Sequence, residues 1–186
     1  MTSDEATAAV IDALNAEALP YMLVGSFASN FYGVPRATQD ADFVLQLGAT
    51  PVSALAQRLA PAFRLDPQLS FETITGTTRH TLQLAEGPFQ VELFLLSEDA
   101  HDRERFARRR RVRALGRDVW MPTAEDVVIT KLRWAVQGQR AKDVDDVRNV
   151  IAVQGERLDW GYVNRWCDLH ATRELLDRVR NSIPPD

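Results

Sequence analysis

Val10, Ile11 and Leu14 recur at the spacing of one helix face, with Ser3 or Asp4 placed to cap them, which predicts a helix over residues 4–17. Leu19-Pro20 ends that helix, and the apolar run 21–24 reads as a short buried strand. Gly25 then opens a helix to about Tyr32, broken by Gly33-Val34-Pro35. A second strand is predicted over 42–47, followed by a helix over 50–60 with Pro51 in its first turn. Strand patterns recur near 71–74, 79–84 and 89–96, and Ala85-Glu86-Gly87-Pro88 between the last two reads as a hairpin turn. Residues 99–110 suggest a polar, arginine-rich helix, and 112–115 with 118–121 a hairpin around Gly116-Arg117. From Thr123 onward the period is helical. Thr123 with Asp126 resembles a capping box, and Val127, Val128, Leu132, Ala135 and Val136 supply an apolar stripe. Further helices are predicted near 142–153, 159–169 and 172–181. The layout is α+β, with a mixed part over 1–121 and a helical region over 122–186 expected to pack on it.

Composition narrows the classes. With 45% hydrophobic and 26% charged residues among 186, the chain has enough apolar material for one generous domain or a small domain with a helical appendage. It has no run of about 18 apolar residues, so no membrane span or membrane partner is expected. The acidic start lacks the basic and apolar regions of a signal peptide, and Cys167 is the one cysteine, so a cytoplasmic location is expected. No Cys/His cluster has zinc spacing. The net charge of −4 hides an asymmetry: residues 103–117 hold eight arginines against Glu104, a formal +7 that leaves −11 elsewhere. Such a segment suits a polyanion such as a triphosphate or RNA, or else it is a solvated face whose arginines pair with nearby acids.

The chemistry concentrates between Tyr21 and Leu45. Side chains two apart on a strand share a face, so Asp40 and Asp42 present two carboxylates together. Like charges so placed repel unless a cation lies between them, and Mg²⁺ is bound by one or two carboxylates plus substrate phosphates. A polar strand edge would give the same pattern. Glu92 stands isolated in the apolar run Phe89–Leu96, where a carboxylate is costly unless paired or metal-bound, or else faces solvent beside Gln90. If the two strands are neighbours, Asp40, Asp42 and Glu92 converge as a two-metal centre would need. Gly25-Ser26 at a helix start offers backbone N–H groups and a hydroxyl to a phosphate. Arg36 is placed to grip a phosphate, and Thr38 to hydrogen-bond a catalytic Asp, if their loop folds over the site.

Gly25-Ser26, then Asp40-Ala41-Asp42 before an apolar residue, then Glu92 between Val91 and Leu93, resembles the signature of the DNA polymerase β-like nucleotidyltransferase superfamily. More narrowly, Gly33-Val-Pro-Arg-Ala-Thr-Gln-Asp-Ala-Asp42 is similar to small bacterial nucleotidyltransferases, a group that includes abortive-infection toxins described as adding nucleotides to tRNA. Aminoglycoside nucleotidyltransferases are more distant relatives. The helical half continues the resemblance with Lys131 and with Arg140-Ala-Lys-Asp143-Val-Asp-Asp146. The likeness implies a nucleotidyltransferase-like mixed sheet flanked by helices and a Mg²⁺ (or Mn²⁺) enzyme. That enzyme would transfer a nucleoside monophosphate from an NTP such as ATP to a hydroxyl, on tRNA or other RNA, with a cognate antitoxin as partner. It further implies metal binding by Asp40, Asp42 and Glu92, with nucleotide contacts from Lys131 and a site-ordering role for Asp143. Glu92 departs from the Asp usual in this group. A catalytically inactive binding module, an antitoxin-like regulator and a small-molecule nucleotidyltransferase are the competing expectations.

Overall fold

A computed structural model describes residues 1–184. The described residues divide into two compact units, 1–27 with 37–121 and 28–36 with 122–184. Segment 28–36 lies within the sequence span read as the mixed part, yet it belongs to the helical unit.

In the first unit, helix α1 (Ser3–Ala16) is capped one residue earlier than its sequence suggests. The Thr2 hydroxyl accepts the Glu5 N–H at 3.2 Å, and the Glu5 carboxylate accepts the Thr2 N–H at 2.8 Å. Strand β1 (Tyr21–Val24), the start of helix α2 (Gly25–Tyr32), which from residue 28 belongs to the second unit, and strand β2 (Asp40–Leu45) follow. Strand β2 is shifted two residues towards the N-terminus from the expected span 42–47, because its backbone pairing begins at Asp40. Pro51 caps helix α3 (Val52–Leu59) rather than entering its first turn. Strand β3 (Phe63–Leu65) has no counterpart in the hydrophobic pattern, since three residues are too few to display alternation. Strands β4 (Ser70–Glu72), β5 (Thr77–Leu84) and β6 (Gln90–Leu95), helix α4 (Ala100–Arg108) and the β7–β8 hairpin (Arg110–Ala114, Arg117–Met121) complete this unit.

The sheet order is β1-β2-β6-β5-β3, with β4 also paired to β5. Strands β2 and β6 run parallel, while β1 with β2 and β5 with β6 are antiparallel. One face sends Ala41, Phe43, Leu45, Val91 and Leu93 into a core with Val10, Ile11 and Leu14 of α1 and Leu55 of α3. Phe43 is fully buried there, and truncating it to Ala would cost about 3–5 kcal/mol. The opposite face bears the acids of β2 and β6 and, further along, a small cluster of Met22, Val24, Val44 and Phe106.

The second unit contains helices α5 (Ala124–Gly138), α6 (Ala141–Gln154), α7 (Trp160–Leu169) and α8 (Arg173–Asn181). Val128, Ile129, Leu132, Val147, Val150, Val163 and Leu176 form its core with Ala28 of α2. Val136, placed by its spacing on the apolar stripe, is instead 48% exposed. Gly33 is needed where α2 meets α6: a Cβ there would stand 3.0 Å from the Val150 nitrogen. No helix among the described residues is long and apolar enough to cross a membrane.

Candidate active site

The first unit gathers its acids at one end of the sheet. Asp40 and Asp42 open β2, and the parallel register sets Asp42 opposite Glu92 of β6 and Asp40 opposite Gln90. Cross-strand partners share a face, so all three carboxylates lie on the same side. Thr38 directs its hydroxyl to Asp40, 2.9 Å from Oδ1 and 3.0 Å from the main-chain oxygen. Gly25 turns β1 into α2 at φ +60°, and a Cβ there would fall 1.9 Å from Oδ2 of Asp42. Only glycine meets both demands without displacing the acid. Ser26 follows, buried in the first turn of α2, where backbone N–H groups and the positive helix end favour an anion.

Glu92 has a partner of its own. Nη1 of Arg79, on β5, lies 3.0 Å and 3.2 Å from the two Glu92 carboxylate oxygens. Thr81 is the residue directly across from Glu92, so Arg79 reaches it diagonally, two positions along. Among the described residues no three Asp, Glu, His or Cys side chains converge closely enough to share an ion. Asp40 and Asp42 by themselves match the one or two carboxylates through which Mg²⁺ is held alongside substrate phosphates.

Arg36, Lys131 and Asp143 belong to the second unit, where a compact ionic network joins them. Lys131, 8% exposed, donates from Nζ to Asp143 at 2.8 Å and stands 2.9 Å from Asp146. Arg36 binds Asp146 through two parallel bonds, Nε to Oδ1 at 2.7 Å and Nη2 to Oδ2 at 2.8 Å. The Ser29 hydroxyl adds a contact to Asp146 at 3.2 Å, and Arg140 lies 3.2 Å from Asp143. Burial pushes the Asp146 carboxyl up, but the Arg36 hydrogen bonds and the Lys131 charge outweigh it and hold the group below its ordinary value.

Within the arginine-rich segment of the first unit, arginines on α4, β7 and β8 meet acids. Arg103 pairs with Glu98, Arg105 with buried Asp102, Arg111 and Arg113 with Asp118, and Arg117 with Asp12. Arg110, Arg111 and Arg113 on β7 are nevertheless exposed.

No family model matches the sequence, and no curated protein matches it. Solved structures match it in shape. ANT(2'')-Ia in complex with adenylyl-2''-tobramycin aligns over 94% of this chain and 99% of its own, with a TM-score of 0.65 at 15% identity. An antigenic nucleotidyltransferase-like protein from Paracoccidioides brasiliensis aligns over 97% and 94%, with a TM-score of 0.55 at 16% identity. The lincomycin-bound lincosamide antibiotic adenylyltransferase LnuA aligns over 80% and 96%, with a TM-score of 0.51 at 10% identity. The fold is that of the nucleotidyltransferases. At these identities the likeness speaks for the fold.

Two residues of this nucleotidyltransferase fold escaped the sequence reading of the site. Asp146 was legible only as the end of the Asp143–Asp146 spacing, which puts both acids on one face of α6. Arg79 could have been found by counting outward from the Ala85–Pro88 turn, which sets Thr81 across from Glu92 and Arg79 on its diagonal.

Proposed function

We propose that the chain transfers a nucleoside monophosphate from an NTP to an acceptor hydroxyl with the help of Mg²⁺ or Mn²⁺. The observation that supports this most is the placement of Asp40 and Asp42 on one face of β2, beside Glu92 and against Gly25, on a nucleotidyltransferase fold. In the reaction the acceptor oxygen bonds to the α-phosphorus, the bond to the bridging oxygen breaks and pyrophosphate leaves. Asp40 and Asp42 would hold the divalent ion, which when bound supplies positive charge to the reacting phosphates. Thr38 fixes the orientation of Asp40 by its hydrogen bond. The Gly25-Ser26 turn offers donors to the triphosphate, and Glu92 takes the proton of the acceptor hydroxyl. In the second unit, taken by itself, Lys131 and Arg36 carry charge of the sign that phosphate would meet, and Asp143 orders Lys131. Catalysis rests on orientation and fixed charge rather than on a covalent enzyme intermediate.

RNA is the acceptor that exposed Arg110, Arg111 and Arg113 favour. The pairing of arginines of the same segment with acids weakens that reading, and the likeness in fold to ANT(2'')-Ia and LnuA favours a second, a small-molecule hydroxyl. The test is incubation with each α-labelled NTP and Mg²⁺, offering total tRNA in one arm and aminoglycosides and lincosamides in another. Label transferred above an Asp40→Asn control is expected in one arm. None in either arm would remove the proposal.

A further inference from the structure

Glu92 is paired with a basic side chain of the same sheet face. Arg79 projects from β5 and sets one nitrogen between both Glu92 oxygens, at 3.0 Å and 3.2 Å. The Glu92 side chain is 21% exposed and that of Arg79 36%, so the pair is half-sheltered rather than loosely solvated. Nε of Arg79 is buried and has no hydrogen-bond partner, so the base of the guanidinium is packed in while its tip serves Glu92. A cation seeking Glu92 must displace a charge that is covalently tethered two positions along the next strand.

Building on the transferase reading above, we propose that Arg79 stands in for a second divalent ion at Glu92. This sheet face then takes one metal ion, through Asp40 and Asp42, where three converging acids would take two. Arg79 is thus a positioning residue. It keeps Glu92 on the working face as a proton acceptor and out of the coordination sphere, and its charge weakens the hold of Asp40 and Asp42 on the ion.

Mn²⁺ titration of the whole protein, followed by electron paramagnetic resonance, reads this without catalysis. The wild type is expected to bind one Mn²⁺, lost in Asp42→Asn and retained in Glu92→Gln. Arg79→Met keeps the packing of the stem but removes the charge. It is expected to bind a second ion and to hold the first roughly tenfold more tightly. Arg79→Lys restores the charge and should return the count to one, which a merely structural role for Arg79 would not require. It also serves as the working variant should Arg79→Met fail to fold. Two ions on the wild type, one of them lost in Glu92→Gln, would overturn the proposal while leaving nucleotidyl transfer standing. No bound Mn²⁺, together with no transfer in the labelled-NTP assay, would overturn both.

Discussion

Replacing Gly25 by Ala separates two demands that the same glycine meets. The first is conformational: at φ +60° an L-residue carries about 1–2 kcal/mol of strain. Gly48 has φ +56° with nothing within 4 Å of an added methyl, so Gly48→Ala isolates that cost. For a chain of this size the cost lowers Tm by about 2–8 °C. The second demand is spatial. The new Cβ at Gly25 would lie 1.9 Å from Oδ2, 2.8 Å from Cγ and 3.0 Å from Cβ of Asp42, so the whole acid must shift. Reaching ordinary contact at about 3.4 Å needs a displacement of about 1.5 Å. A misplacement of about 1 Å in a catalytic group can cost roughly a hundredfold in rate. Gly25→Ala should therefore match Gly48→Ala in Tm to within a few degrees yet lose at least about a hundredfold in transfer, which Gly48→Ala retains. Thermal unfolding beside initial rates of labelled-NMP transfer makes the comparison. Equal activity of the two variants would refute the claim that Asp42 works where it stands.

Asp40→Asn and Asp42→Asn should each lower transfer by about a thousandfold, while Tm holds or rises because a like-charge contact is relieved; rates and calorimetry on the same preparations check this. Thr38→Val should lower kcat about tenfold without changing Tm by more than a degree or two, through loss of the 2.9 Å bond that orients Asp40. Asp146→Asn should cost about 3 kcal/mol at pH 7, at the low end for a broken buried pair because the Arg36 side chain is 32% exposed. Since the folded Asp146 carboxyl titrates below its ordinary value, its contribution is full above about pH 4 and is lost as the pH falls through the folded value. Urea midpoints from pH 7 down to pH 3 should show the gap between variant and wild type closing at the acid end.

The elements most legible in the sequence were those whose signal is local. The four apolar residues of β1, the glycine that follows, and the alternation of Ala41 and Phe43 with Asp40 and Asp42 each needed only a few neighbours to read. The cap of α1 was missed by one residue because Thr2, Ser3 and Asp4 are all competent caps, and only the reciprocal bond from Glu5 decides among them. Strand β2 lies beside β6 in parallel, a pairing that requires a long crossover and leaves no local trace, so the meeting of Asp42 with Glu92 was conditional until the register was known. The buried state of Lys131 was hidden for a different reason. Its helix position reads equally well as a cation reaching solvent, and what holds it inward is a pair of acids about one turn apart on α6.

Charge balance gives a way to separate acids that hold the fold from acids that face a ligand. Asp102 and Arg105 make a buried pair of net zero, with the Ser97 hydroxyl and N–H completing the Asp102 contacts. Burial raises the Asp102 carboxyl, and Arg105 and Ser97 more than reverse it. The side chains named above in the other two places sum to a net charge. On the sheet face, Asp40, Asp42 and Glu92 exceed Arg79 by two negative charges; in the helical unit, Arg36, Lys131 and Arg140 exceed Asp143 and Asp146 by one positive charge. Under the proposed transfer, the negative sum on the sheet face suits a divalent cation and the positive sum in the helical unit suits phosphate.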